Sequence, residues 1–159
     1  MSTRETPATE GPGFSVLRTI HSAFAVSDIE RTLRLFHDFL GFEIVARDMG
    51  DPNLVESLTG INSKVKLAFI RAPDGHMIEL IEWEAPYNGH IQGRVCDAGW
   101  WHMALEVDNL QTAMDRGSHY GLTIYNRVVE RDGGASRVAY FRDPDGITIE
   151  LSQRPRRRG

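Results

Sequence analysis

Four side chains have the types and the repeated setting that metal-assisted proton chemistry needs. Glu79 lies in "PDGHMIEL" (Pro73 to Leu80) and Glu150 in "PDGITIEL" (Pro144 to Leu151), so the word Pro-Asp-Gly-x-x-Ile-Glu-Leu is written twice, 71 positions apart. His21 and His102 stand in "IHSAFAVSDI" and "WHMALEVDNL", 81 positions apart. A single histidine on a strand is ordinarily a core residue, and a single glutamate ordinarily faces water. A matched quartet points instead to ligation. Two imidazoles and two carboxylates offer neutral nitrogen and anionic oxygen donors suited to Zn²⁺, Co²⁺, Ni²⁺, Mn²⁺ or Fe²⁺, with bonds of about 2.0–2.2 Å for zinc; donor softness does not choose among these metals. Such an ion, with open positions, binds two neighbouring oxygens of a substrate, acidifies the adjoining C–H and stabilises an enediolate. A carboxylate beside it carries the proton, help of a kind worth about 10²–10⁴-fold. Glu79 and Glu150 are therefore expected both as ligands and as proton shuttles, with the choice of base left open.

The elements that must position these residues come as a duplicated unit. "IHSAFAVSDI" aligns with "WHMALEVDNL" at an offset of 81, "LGFE" (Leu40 to Glu43) with "YGLT" (Tyr120 to Thr123) at 80, and "KLAFIRAPDG" with "RVAYFRDPDG" at 71. The landmarks keep one order in both halves, and the drop from 80 to 71 puts about nine extra residues in the first half, near Asp48 to Asn62. Each half reads strand, helix, then several strands. Alternation puts His21, Ala23 and Ala25 on one face and Ser22, Phe24 and Val26 on the other; His102, Ala104 and Glu106 likewise oppose Met103, Leu105 and Val107. Alanines beside each histidine leave room for a cavity wall. Ile29, Leu33, Phe36 and Leu40 mark an amphipathic helix with Ser27 and Glu30 at capping-box spacing and Gly41 as its stop. Leu110, Ala113, Met114 and Gly117 mark the second, capped by Asp108 or Asn109 and followed by Gly121. Each glutamate is flanked by an isoleucine and a leucine that point to the helix side, so the carboxylate points the other way. If the modules pair their sheets, that other side is a shared concave face where the four donors converge.

Composition bounds the function. The length suits one domain or two small halves, and the apolar and charged fractions are ordinary for a globular chain. No run approaches the roughly 18 apolar residues of a membrane span, and "MSTRETPATEGPG" lacks the form of a secretory signal. These features predict a cytoplasmic protein without a membrane partner. Cys96 is the only cysteine, which excludes an internal disulfide and a cysteine-based zinc cluster. Net charge is −4, and the basic run Arg154 to Arg158 follows the last strand; it reads as a solvated tail and not as a nucleic-acid footprint. The organisation expected is a flexible tail over 1–16, a first βαβββ module over 17–88, a linker over 89–98, a second module over 99–154 and a basic tail over 155–159.

Through "IHSAFAVSDIERTLRLFHDFLGFE", "PDGHMIEL", "WHMALEVDNLQTA" and "DPDGITIEL", roughly Leu17 to Arg154, the chain resembles the vicinal oxygen chelate superfamily. Its members include glyoxalase I, methylmalonyl-CoA and cyclitol-ketone epimerases, extradiol dioxygenases and antibiotic-resistance proteins. The resemblance implies an α+β fold of two paired βαβββ modules, forming a curved mixed sheet that cups a metal on His21, Glu79, His102 and Glu150. In the glyoxalase I members, an arginine four residues after the first ligand and an asparagine four after the second hold glutathione; here those positions are Ala25 and Trp83. The end motif of extradiol dioxygenases matches "YFRDPDGITIE", including Tyr140, but the histidine upstream of that tyrosine is missing and Glu79 would be a surplus ligand. Tyr140 aligns with Phe69 of the other module, which predicts sheet packing. A metal-free drug-binding protein, with Trp83, Trp100 and Trp101 as an aromatic wall, would leave the four donors without a purpose. The expected function is thus a metal-dependent epimerase or isomerase acting on a small molecule: an acyl-CoA, a cyclitol ketone or another hydroxyketone.

The rest of the chain is given supporting parts. Residues between Glu79 and His102, and the insertion at Asp48 to Asn62, are long enough to cover a pocket or meet a second copy. Arg71 and Arg142 occupy matching places and are expected to brace the Pro-Asp-Gly turns, with contact between one of them and an anionic substrate as the alternative. His37, His76, His90 and His119 are expected at the surface. Unpaired sheet edges predict a homodimer, with the pocket either within one chain or between two.

Overall fold

The computed structural model describes residues 14–86, 89–91 and 93–155. Of the expected tails, only Phe14 to Val16 and Pro155 fall among the described residues. The first half runs β1 (Ser22–Val26), α1 (Ile29–Leu33), β2 (Glu43–Met49), α2 (Pro52–Thr59), β3 (Val65–Arg71) and β4 (Met77–Trp83). The second runs β5 (His102–Glu106), α3 (Leu110–Gly117), β6 (Thr123–Ile124), β7 (Val129–Arg131), β8 (Ser136–Arg142) and β9 (Thr148–Gln153). This is the expected α+β pair of βαβββ modules. Their strands form two separate mixed sheets, ordered β1-β4-β3-β2 and β5-β9-β8-β6, with β7 also on β8. In each sheet the first strand runs parallel to the strand that carries the glutamate.

Local chemistry explains the elements. Asp28 caps α1 by accepting from the Arg31 N–H, so the cap is one residue beyond the expected Ser27, whose side chain is occupied elsewhere. Asn109 caps α3 by accepting from the Thr112 N–H. A second acceptor reaches each helix start from its own sheet: Glu82 takes the Ile29 N–H at 2.7 Å and Gln153 takes the Leu110 N–H at 2.8 Å. After Leu33 the helix widens to a π-helical stretch, Arg34–Phe39, marked by the Leu40 N–H donating to the Leu35 carbonyl. The wider turn shifts the phase of the stripe, which is why Leu35, outside the expected set, is buried with Ile29, Leu33 and Phe36. Gly41 and Gly121 stop the two helices with φ of +75° and +83°, values glycine adopts without strain. The extra residues of the first half form α2, started by Asp51 and Pro52 and stopped by Gly60, with none of its residues buried.

Strand alternation holds in both sheets. Phe24, Val26, Ile78 and Leu80 are buried beneath α1, and Met103, Ile149 and Leu151 beneath α3. A single apolar core runs through both modules. They meet through the helix ends, where Phe39 stacks on Tyr120 at 5.0 Å and Gly117 approaches Phe39, and through Phe24 against Trp101 at 4.9 Å. A polar clamp adds to this: Asp145, in the turn before β9, accepts from the Ser27 N–H and Oγ–H and from Arg31 Nη2 at 2.6 Å. Among the described residues no helix is long and apolar enough to cross a membrane.

Candidate metal centre

The two halves of the expected donor set are each assembled by one sheet. In the first, register pairs Ala23 with Glu79, which brings His21, just before β1, diagonally onto the carboxylate. His21 Nε2 lies 3.2 Å from Glu79 Oε2. In the second, Ala104 pairs with Glu150, and His102 Nε2 lies 3.4 Å from Glu150 Oε2. All four side chains are partly exposed on the faces away from the helices. Two donors on one ion with bonds of about 2.0–2.2 Å stand about 2.8–3.6 Å apart at octahedral or tetrahedral angles. Both pairs fit that spacing, so each is suited to half of a coordination shell. One chain does not unite them: among the described residues no group of three or more His, Cys, Asp or Glu side chains converges on a metal-sized point.

The surroundings of the two pairs differ. Beside His21 stands Phe69, edge-on at 6.0 Å. Beside His102 stand Trp100, stacked at 5.0 Å, and Tyr140 at 5.1 Å. Tyr140 is the register partner of Glu150, and burial, followed by the charge and acceptor oxygens of Glu150, raises the phenol above its usual range. The phenol therefore faces a carboxylate as well as packing in the sheet. The sequence signal was there in the alignment of a tyrosine with Phe69, since a hydroxyl added at one copy of a repeated position needs a partner.

Two further differences lie at the Pro-Asp-Gly turns. Asp143 is buried where its counterpart Ala72 is buried too. Its carboxylate accepts from the Asp145 and Ile147 N–H groups, yet burial outweighs these bonds and pushes it up to about 6. For Asp145, burial opposes ionisation, but the bonds from Ser27 and Arg31 outweigh it and hold the group below the ordinary carboxylate value. Arg71 pairs with Glu43, and Arg142 donates to the Gly93 carbonyl, so neither braces its turn as expected. His37, His76, His90 and His119 are exposed, as expected. The inter-module connection and the three tryptophans line a cavity of about 630 Å³ beside β1 and the start of β5.

The fold is that of a known family. The chain belongs to the Glyoxalase/Bleomycin resistance protein/Dioxygenase superfamily, whose profile matches residues 18–151. It is 27% identical over 135 residues to a protein named lactoylglutathione lyase from Salmonella typhimurium, covering 85% of this chain and 91% of that one. A lactoylglutathione lyase from Haemophilus influenzae is 25% identical over the same share. Among solved structures, a glyoxalase family protein from Bacillus cereus superposes with a TM-score of 0.80 at 22% identity, covering 91% of this chain and 98% of that one. A fosfomycin resistance protein, FosX, from Listeria monocytogenes superposes with a TM-score of 0.60 at 18% identity, covering 87% and 93%, and that structure holds Mn(II) and sulfate.

Proposed function

We propose that the chain is a divalent-metal-dependent isomerase or epimerase that moves a proton at a carbon next to a carbonyl. In this reading His21 and Glu79 of one chain meet His102 and Glu150 of a second, giving two equivalent sites per homodimer. The observation that carries it is the recurrence of one His–Glu pair, at 3.2 and 3.4 Å, in matching places of a duplicated module. Neither pair alone is a full ligand set, and the second copy supplies the missing half. Two features support that assembly. β1 and β5, which position the histidines, are edge strands with one neighbour each. The residues leading to His21 expose Phe14, Val16, Leu17 and Ile20, an apolar run that a partner would cover.

The ion, when bound, supplies Lewis acidity toward two adjacent substrate oxygens and thereby acidifies the neighbouring C–H. Everything else falls to the chain. His21 and His102 act as neutral donors through Nε2. Tyr140 faces Glu150 across the paired strands, and in this reading it donates to the carboxylate and fixes its direction, as outer hydrogen bonds do for ligating carboxylates. Among the described residues Glu79 has only the ring of Phe69 beside His21, so it keeps a lone pair free and is the better placed of the two to take and return the proton. The alanines at 23, 25 and 104 keep the faces open for substrate.

A second reading is favoured by the curated relatives, whose name states lactoylglutathione as the compound they act on. Here the two positions expected to clamp glutathione are Ala25 and Trp83, neither of which holds a carboxylate or amide as arginine and asparagine do. One experiment separates the readings: metal analysis of purified protein, then incubation of hydroxyketones, cyclic ketones and acyl thioesters in D₂O with and without glutathione. Metal-dependent deuterium uptake without glutathione supports the proposal. Turnover only of glutathione adducts supports the second reading, and absence of bound metal removes both.

A further inference from the structure

At one end of the open face of the second module, an arginine and a threonine have polar atoms that no other described residue uses. Arg142 in β8 is the register partner of Thr148 in β9, just as Tyr140 is the partner of Glu150. Alternation places all four on one face, with Arg142 and Thr148 two residues along the strands from Tyr140 and Glu150. Thr148 is 2% exposed, and among the described residues its Oγ1 has no hydrogen-bond partner. The Arg142 Nε is likewise buried and, among the described residues, without a partner. Its Nη2 donates to the Gly93 carbonyl at 3.1 Å, and the guanidinium lies 4.8 Å above the Tyr125 ring. Among the described residues neither contact supplies the negative charge that a partly buried guanidinium calls for.

Both residues line the 630 Å³ cavity, together with Trp83, Trp100 and Trp101. Because Trp100 stacks on His102, the cavity adjoins the His102–Glu150 pair. Asp145 also reaches the cavity, but its charge is taken up by Arg31 at 2.6 Å and so does not answer Arg142. A guanidinium next to an unused hydroxyl is a set of donors for an oxyanion.

We propose that Arg142 and Thr148 form the subsite for an anionic group of the substrate, a carboxylate or a phosphate. Two residues of strand separate them from Glu150, so that group lies about 7 Å from the atoms that meet the carboxylate. The body of the molecule rests against Trp100. The substrate class is then a carbonyl compound carrying one anionic group at that separation. This deepens the proposed function and rests on it for the link to Glu150, but the subsite binds anions without metal.

The test is calorimetric titration of the full-length protein, with chelator present, using 3-benzoylpropionate, its neutral methyl ester and phenacyl phosphate. Saturable binding of an anionic probe is expected, with the ester weaker by about tenfold or more; whichever anion binds tighter names the group. Arg142→Gln should bring the anions down to the affinity of the ester, and Thr148→Val should weaken them about threefold, with the circular dichroism spectrum of each variant as the check on folding. Equal affinity for acid and ester, anion binding untouched in both variants, or no saturable binding of any probe overturns the subsite. Failure of the metal reading would appear in metal content and deuterium uptake, and would leave this titration unaffected.

Discussion

The two modules place the same donors by the same register and then surround them differently. In both, a histidine at the start of an edge strand meets a glutamate on the parallel neighbour, over a face cleared by alanines. Around the first pair the contacts are apolar, from Phe69; around the second they are polar and aromatic, from Tyr140 and Trp100. Duplication preserved the geometry of the His–Glu pairs because it is set by backbone pairing and by apolar residues beneath the helices. The contacts on the open face are free to diverge, since changing them leaves the core intact. In the proposed function, that divergence gives two identical carboxylates different tasks.

The largest consequence concerns the carboxylates. Glu79→Gln should reduce deuterium exchange by about 10²–10⁴-fold, more than Glu150→Gln does, because the freer carboxylate carries the proton. Exchange rates of the two variants, each saturated with metal, measure this; the reverse order would break the assignment of roles. A stability difference comes next. The matching turn sites hold Asp143 and Ala72, both buried. Asp143, raised to about 6, binds more protons folded than unfolded across the range between its ordinary value and 6, so its contribution makes stability fall as pH rises through roughly 4 to 6 and level off above. Asp143→Asn keeps the acceptor for the Asp145 and Ile147 N–H groups, and should flatten that decline and raise stability at pH 7 by on the order of 1–3 kcal/mol. Urea midpoints at pH 4.5 and 7 give the answer, and a loss of stability in the variant would show that the ionised carboxylate is stabilising. The smallest effect is on the outer contacts. Tyr140→Phe, which makes the second pair resemble the first, should lower metal affinity or turnover by about tenfold, whereas Phe69→Tyr should leave both within about twofold. Equal responses would return Tyr140 to a packing role.

Most of the scaffold was legible in the sequence because it rests on periodicity. The alternation around His21 and His102, the stripes Ile29 to Leu40 and Leu110 to Gly117, and the glutamates facing away from the helices are all found as read. Leu35 was hidden because a π-helical turn changes the period partway along. Ser27 was read as a cap from spacing alone; its hydroxyl is claimed by Asp145, a residue 118 positions away that no local pattern could supply. The same holds for Tyr140 on Glu150 and for Arg142, whose partners depend on which strands become neighbours. The repeat requires both modules to treat their histidine and glutamate alike, and the parallel pairing of β1 with β4 and of β5 with β9 then brings each two together. The separation of the two pairs does not, because it depends on how the modules dock through Phe39, Tyr120 and the Arg31–Asp145 clamp.

The central claim, that two chains build each metal site, is tested most directly by mixing a His21→Ala chain with a His102→Ala chain. Each variant alone breaks every site, whereas a mixed dimer restores one intact set of four donors. Random exchange of subunits in an equimolar mixture should therefore recover about one quarter of the wild-type metal content and exchange activity. A mixture as inactive as its two components would contradict the account.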